Sequence, residues 1–274
     1  YMGEVLLFLG LAQATGNEAV ILGSGDIGLI MARRLVFEGV AVKGVFEILP
    51  WASGLERNVR QCLMDFGIPL ELRSTVVEMR GRDRVESVGV AKVGGKLPPI
   101  PGSEGVIPCD TLLLSIGLIP ENELSKRAGV ALSPFTGGAV VDERFMTSVS
   151  GVFSCGNVLH IHDVADWASF EGFAAGESAA RYAAGERPAG ATFRITAGTN
   201  IKYALPQLVT AGTAGVEWNF RVGRPLRNVQ VVVKGKATEK VYARKKFGRL
   251  LPTELQKIKV RQAVEEDLEV SCHE

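Results

Sequence analysis

The chain has 274 residues, of which 46% are hydrophobic and 22% are charged, and its formal net charge is +1. This composition is typical of an ordinary globular protein, and the even charge balance argues against a nucleic-acid or membrane partner. The four cysteines are scattered singly without a Cys-x-x-Cys pair. This spacing argues against a thioredoxin-type redox pair and against a structural zinc site, and it favours reduced thiols in the cytoplasm.

The leading segment 1–16 precedes the first regular pattern. Its apolar run Val5–Ala12 is much shorter than the ~18 residues that a membrane-spanning helix needs. The run has the character of a signal-peptide core, but Glu4 stands where such a peptide carries positive charge. We therefore predict a buried helix or a connecting segment here.

Residues 17–47 have the pattern of a βαβ unit. Ala19–Leu22 is a short continuous apolar run, which is typical of a strand covered on both faces of a parallel sheet. Asp26–Glu38 has apolar residues at helical spacing, and Gly39 ends this predicted helix. Val40–Phe46 is the next strand, and such a short crossover places the two strands parallel to each other.

The turn after the first strand matches the pattern G-x-G-x-x-G. The residues that we predict to bind a dinucleotide here are Gly23, Ser24, Gly25, Asp26, Ile27 and Gly28. The first glycine allows a tight turn, the second allows a pyrophosphate to approach the backbone, and the third allows close packing of helix and strand. Free amides at the helix start would then face the phosphates.

Glu47 ends the second strand, about twenty residues beyond the last glycine of the turn, as in NAD-binding units. A carboxylate at this place can accept hydrogen bonds from the adenosine ribose and repels a 2′-phosphate, which favours NAD over NADP. Two alternatives stay open: FAD uses the same fingerprint, and the glycines can serve packing alone.

The elements after this unit alternate between helix and strand. We predict a helix over 54–66, strands over Leu70–Met79 and Val85–Val93, and a Gly- and Pro-rich loop over 94–105. Thr111–Ile116 is predicted as a buried strand.

A second compositional block begins near Gly138. It predicts short strands at Ala139–Val141 and Gly151–Ser154, followed by a helix rich in Ala and Gly over Asp163–Tyr182 that packs closely against another element. The composition of the sequence changes again after Pro188. Alternating and clustered apolar residues then predict a smaller β-rich module over 189–274.

Two motifs carry a family resemblance. They are Thr111–Pro120, an apolar strand ending in Gly-x-x-Pro, and Thr147–Asn157, which precedes the helix rich in small residues. With the glycine turn, they make the sequence resemble the pyridine nucleotide–disulfide oxidoreductase superfamily, in which an NAD domain is inserted into an FAD domain. The resemblance implies an α/β fold with a Rossmann-type NAD-binding domain over 17–118 and the C-terminal part of an FAD-type domain over 119–188.

The stretch Cys155–Asp163 is similar to one branch of that superfamily. This branch contains oxidoreductases related to the sarcosine oxidase alpha subunit and those associated with anaerobic glycerol-3-phosphate dehydrogenases. The resemblance implies that NAD and FAD are the cofactors and that hydride passes between nicotinamide and flavin while a small metabolite is oxidised. It also implies cofactor contacts at Gly117, Gly156 and Asn157.

Three departures from the family pattern leave alternatives open. The redox Cys-x-x-Cys is absent, and Asn157 replaces the usual aspartate of the flavin motif. The family's N-terminal FAD-phosphate glycine turn is also absent, because only the short segment 1–16 precedes the NAD unit. The chain is therefore expected to be an oxidoreductase or a subunit of one, a non-catalytic NAD-binding partner in an electron-transfer complex, or an inactive truncated copy.

His160 and His162 are the candidates for catalysis, because a histidine beside a flavin can pass a proton during hydride transfer. The alternative is structural: the histidines bind backbone and Asp163 caps the following helix. Cys155 is expected to be a buried, inert thiol in a strand rather than a nucleophile. No metal site is predicted, because Cys272-His273 has no third ligand nearby in the sequence.

Overall fold

A computed structural model describes residues 16–95, 97–187 and 190–274 of the chain. The prediction for the leading segment concerns residues outside this described part, apart from its last residue, Gly16. The chain divides into two compact units between Gly117 and Leu118. The domain boundaries expected from the sequence stay predictions.

The first unit contains a parallel sheet with the strand order β3-β2-β1-β7. Its parallel strands and helices are β1 (Glu18–Leu22), α1 (Asp26–Phe37), β2 (Ala41–Glu47), α2 (Glu56–Cys62), β3 (Leu70–Leu72) and β7 (Thr111–Leu114). A 3₁₀ turn at Met64–Phe66 follows α2. The predicted βαβ unit is therefore present, with β1 and β2 parallel and α1 between them.

Both faces of the parallel sheet are covered. Leu29 and Leu35 of α1 are buried against Ala19 and Ile21 of β1 on one face. On the other face, Val20 packs with residues of an antiparallel sheet whose order is β4-β5-β6. The strands of this second sheet are β4 (Ser74–Arg80), β5 (Ser87–Lys92) and β6 (Gly105–Pro108). Cover on both faces explains why β1 is apolar from Ala19 to Leu22.

Three details of this unit differ from the prediction. The expected strand Leu70–Met79 is two strands of different sheets, because Arg73 between them has a φ of +51° and turns the chain. The predicted loop 94–105 overlaps a strand that its Gly- and Pro-rich composition did not indicate, since β6 begins at Gly105. The strand β7 was expected to be buried, but Leu114 at its end is 54% exposed.

The second unit begins with α3 (Glu123–Arg127) and includes the 3₁₀ turn Gly156–Val158 and the helix α4 (Ala165–Ala183). The expected strands at Ala139–Val141 and Gly151–Ser154 are wrong, because these segments form only isolated bridges. No helix in the described ranges combines the length and the apolar character needed to cross a membrane.

The rest of the second unit consists of strands, which confirms the predicted β-rich module. The strands are β8 (Thr192–Ala197), β9 (Ile201–Leu205), β10 (Leu208–Thr210), β11 (Val216–Val222), β12 (Leu226–Gly235), β13 (Val241–Leu250), β14 (Gln256–Val260) and β15 (Leu268–His273). They form a sheet of order β10-β8-β15-β12-β13 and a sheet of order β14-β11-β9. Trp218 and Phe220 are fully buried in the core that these strands share.

Candidate functional site

The glycine turn connects β1 to α1. Gly23 has a φ of +94°, and a Cβ there would lie 2.1 Å from the backbone oxygen of Ser115. Its amide donates to the Phe46 oxygen at 2.7 Å, which closes the turn against β2. Only glycine fits this conformation and this approach, as the sequence predicted for a tight turn.

Three consecutive amides at the start of α1 have no hydrogen-bond partner in the described part of the chain. They belong to Gly25, Asp26 and Ile27. Gly25 is the N-cap residue, and no side chain caps the helix. Unpaired amides at the positive end of a helix dipole are the groups that bind a diphosphate.

Gly28 packs against β7 rather than toward a ligand. A Cβ at Gly28 would lie 2.6 Å from the Cβ of Ser115, and its amide donates to the Ser115 hydroxyl at 3.0 Å. The third glycine therefore has the predicted packing role. Its amide already donates to Ser115, so the row of free amides ends one residue earlier, at Ile27.

Asp26 was predicted as part of the cofactor site, but its carboxylate serves the neighbouring loop. One carboxylate oxygen accepts hydrogen bonds from the Leu55 amide at 2.8 Å and the Asn58 side chain at 2.7 Å. These two bonds fix the start of α2 beside the turn. Asp26 therefore contributes its backbone amide, not its side chain, to the candidate site.

Glu47 is at the predicted place, with only 3% of its surface exposed. One carboxylate oxygen accepts bonds from the Ser24 amide at 3.1 Å, the Ser24 hydroxyl at 2.5 Å and the Ser53 hydroxyl at 2.8 Å. The other accepts the Leu49 amide at 3.0 Å. Glu47 thus holds Ser24 and the turn in place, a role that its spacing in the sequence did not reveal.

Gly117 lies at the end of the first unit with a φ of +103° and open space around its Cβ position. It is exposed, as is Ile116 before it. Its predicted contact with a cofactor stays a prediction.

In the second unit, Gly156 and Asn157 form the 3₁₀ turn that precedes α4. Gly156 has a φ of +73° and nothing within 4 Å of its Cβ position. The side-chain oxygen of Asn157 accepts the His162 amide at 3.0 Å. The turn therefore leaves open space beside Gly156, whose amide donates to Glu171, while the Asn157 oxygen is bound within the loop.

The two candidate histidines meet Glu171 of α4. His160 Nε2 lies 3.0 Å and His162 Nε2 lies 3.4 Å from the same oxygen, Glu171 Oε2. Burial lowers the pKa of His160 against the opposing effect of Glu171. Burial also raises the pKa of Glu171, but the hydrogen bonds from both histidines outweigh it and lower this pKa to about 2. Sequence reasoning missed Glu171, although a glutamate on the apolar side of a helix was a signal.

Asp163 does not cap α4, so that prediction is wrong. The N-cap residue is Val164, and Asp163 instead forms a largely buried ion pair with Arg221 and accepts the Leu255 amide at 2.7 Å. Arg221 also donates to the Tyr203 hydroxyl at 2.8 Å. The strand β11 thereby holds the loop that carries the histidines.

All four cysteines are free of disulfides. Cys155 is only partly buried and precedes a 3₁₀ turn, so its predicted place in a strand is wrong. Burial raises the pKa of the Cys155 thiol, which agrees with the expected inert thiol. Among the described residues, Cys272 and His273 belong to no group of three potential metal ligands.

One face of α4 lacks cover in the described part of the second unit. Only Glu171 and Ala175 of this 19-residue helix are buried. Phe170 is 62% and Phe173 is 75% exposed. The close packing predicted for this helix is therefore confined to one stripe, and two aromatic rings face outward.

The glycine turn, the parallel sheet and the free amides of α1 define a dinucleotide-binding α/β protein. Comparison with known protein families identifies the family to which this chain belongs. The chain belongs to the pyridine nucleotide-disulphide oxidoreductase family, whose sequence pattern matches residues 9–172. The predicted membership of this superfamily of pyridine nucleotide-dependent flavoprotein oxidoreductases, and the predicted fold class, are confirmed.

Individual relatives are similar over part of their length. An NAD(P)H sulfur oxidoreductase (CoA-dependent) of Pyrococcus abyssi is 30% identical over 149 residues, which are 52% of this chain and 30% of that protein. The crystal structure of T. acidophilum thioredoxin reductase is 28% identical with a TM-score of 0.53, and the match covers 62% of this chain and 54% of that one. The chain thus spans about a third of the first curated relatives and half of the solved one.

A third structure shows the fold alone. The ferredoxin reductase for the CYP199A2 system from Rhodopseudomonas palustris is 19% identical with a TM-score of 0.51, and the match covers 94% of this chain and 59% of that one. These relatives do not support the narrower resemblance to the sarcosine oxidase alpha branch.

Proposed function

We propose that this chain is an FAD- and NAD-dependent oxidoreductase, or a subunit of one, that oxidises a small metabolite. The observation that carries the proposal is the row of unpaired amides at Gly25, Asp26 and Ile27, at the end of a buried parallel strand. This arrangement fits the diphosphate of NAD. The family membership supports a flavin as the second cofactor.

The chain's own residues would bind and orient the cofactors. The three amides would hold the diphosphate of NAD, while Glu47, whose oxygens already accept four hydrogen bonds, would keep the turn in shape beside the ribose. Gly156, with open space at its Cβ position, fits close approach of a flavin chain. The uncapped first turn of α4 fits a flavin group that accepts hydrogen bonds. Flavin and nicotinamide, when bound, supply the hydride chemistry.

Three finer statements belong to the proposal. The stretch Cys155–Asp163 supports the branch related to the sarcosine oxidase alpha subunit, and the missing Cys-x-x-Cys supports chemistry without a thiol–disulfide step. His160 and His162 are proposed to act in proton transfer near the flavin. The unpaired cysteines support a cytoplasmic location.

A second candidate is a non-catalytic NAD-binding subunit of an electron-transfer complex. The observation that favours it is the outward face of α4, where Phe170 and Phe173 expose apolar rings that a partner subunit would cover. The visible spectrum of the purified chain separates the two functions. Bound flavin near full occupancy supports the oxidoreductase, and a colourless chain that still binds NADH supports the partner subunit.

The test of the NAD site uses Gly25→Ala. The backbone at Gly25 is unstrained, and the new Cβ would lie 3.3 Å from the Ser115 hydroxyl, so the chain folds while a methyl group enters the phosphate site. We expect NADH to bind at least about tenfold more weakly, a loss of about 1.4 kcal/mol. The matched control is Gly95→Ala, which meets nothing within 4 Å. Unchanged NADH titration of Gly25→Ala would refute the site.

A further inference from the structure

Two of the three histidines in the chain converge on one carboxylate. We call His160, His162 and Glu171 the His–Glu cluster. Their possible ligand atoms all lie within 4.8 Å of one another, and their side chains are 1%, 3% and 5% exposed. The glycine turn belongs to the other unit.

The ring nitrogens of both histidines converge on one carboxylate oxygen. His162 Nδ1 lies 3.3 Å from the Asn157 side-chain oxygen, which also accepts the His162 amide. The other ring nitrogen, Nε2, lies 3.4 Å from Glu171 Oε2, the oxygen that His160 Nε2 approaches to 3.0 Å. Two imidazole nitrogens and a carboxylate oxygen this close together are an arrangement that can share a cation.

The spacing of the His–Glu cluster suits a metal ion. Ligands at 2.0–2.1 Å from a tetrahedral Zn²⁺ lie about 3.4 Å apart. The two histidine nitrogens lie 3.0 and 3.4 Å from Glu171 Oε2.

The groups around the cluster resemble the outer shell of a metal site. The Gly156 amide donates to Glu171 Oε1 at 2.6 Å and orients the carboxylate, while the Asn157 oxygen orients the His162 ring. Such outer bonds fix the tautomer and direction of metal ligands. The sequence could not reveal this arrangement, because Glu171 lies on α4, beyond the loop that carries both histidines.

A cavity of about 400 Å³ gives access to the cluster. His162 and Glu171 form part of its wall, together with Asp142, Glu143 and Lys257. A metal ion held by three protein ligands keeps a coordination position for water or substrate, as catalytic zinc sites do. The cavity provides the space for that fourth ligand.

We propose that His160, His162 and Glu171 bind a divalent transition-metal ion of the Zn²⁺ class, with an open coordination position toward the cavity. Two imidazoles and one carboxylate are ligands suited to Zn²⁺, Co²⁺ and Fe²⁺. The site goes beyond the proposed oxidoreductase function and does not depend on it, and a bound ion would replace the proton-transfer role proposed for the two histidines.

The test titrates the full chain, stripped with a chelator and free of dinucleotide, with Co²⁺ and then Zn²⁺. We expect one equivalent of Co²⁺ with visible ligand-field bands but no sulfur charge-transfer band, and displacement by Zn²⁺. His162→Gln and Glu171→Gln should each weaken binding by about 100-fold, and Asn157→Ala by about tenfold, the range for outer-shell partners. Zn²⁺ should raise the melting temperature of the wild type but not of Glu171→Gln.

The matched controls are His273→Gln, which removes the exposed third histidine, and Cys155→Ser, which removes the nearby thiol. Both should bind Co²⁺ as the wild type does. Absence of saturable Co²⁺ binding would overturn the proposal, as would binding that both ligand variants retain or that His273→Gln abolishes. Because NADH is absent throughout, failure here leaves the NADH titration of Gly25→Ala unaffected.

Discussion

Replacement of Glu47 by alanine should destabilise the first unit far more than loss of an ordinary surface carboxylate. Two backbone amides and two hydroxyls donate to Glu47, and Ser24 and Glu47 are almost fully buried. At about 1 kcal/mol for each buried donor that loses its acceptor, Glu47→Ala should lower the free energy of unfolding by about 3–5 kcal/mol. Glu47→Gln keeps one oxygen acceptor and should lose about 1–2 kcal/mol.

Hydrogen exchange measured by mass spectrometry suits this prediction, because peptides that cover β1 and β2 report on the first unit alone. Protection in those peptides should fall in the order wild type, Glu47→Gln, Glu47→Ala. The control is Glu86→Ala, which removes an exposed carboxylate of the same unit and should change stability by about 0.5 kcal/mol or less. Equal protection in Glu47→Ala and the control would show that the four hydrogen bonds do not hold the turn.

Two further predictions concern the second unit. Arg221→Met leaves the Asp163 carboxylate, whose side chain is 15% exposed, without its cation and should cost about 3 kcal/mol in urea unfolding, the low end for a buried pair. Arg224→Met, at an exposed ion pair, should cost about 1 kcal/mol or less, and similar losses in the two variants would contradict a largely buried pair. The double change of Phe170 and Phe173 to serine should reduce binding of an apolar dye while stability changes by about 0.5 kcal/mol or less. Unchanged dye binding would mean that these rings are covered.

The βαβ unit and its glycine turn could be predicted because each depends on local information. The apolar run of β1 and the helical spacing of α1 reflect burial that neighbouring residues share. The order of glycines reflects backbone geometry within six residues. The β-rich module could be predicted only as a class, since strand pairing in it joins distant segments such as β8 and β15.

The parts that could not be predicted depend on contacts between distant residues. No local pattern indicates that Glu47 accepts hydrogen bonds from Ser24 and Ser53. Nor does one indicate that Glu171 contacts both histidines. The assignment of Asp163 as a cap failed for the same reason: a nearby helix start favoured a local role, but Arg221, far along the chain, forms the stronger interaction. The attraction of a largely buried opposite charge outweighs the local preference for a helix cap.

Ser115 couples three parts of the candidate dinucleotide site. Its amide donates to Leu22, its hydroxyl accepts from Gly28, and its oxygen lies where any side chain at Gly23 would start. A larger residue at Gly23 or Gly28 would require Ser115, which directly follows β7, to move. Substitutions here should therefore be strongly non-additive, and an engineer who wishes to change the cofactor must redesign Ser115 and the glycines together.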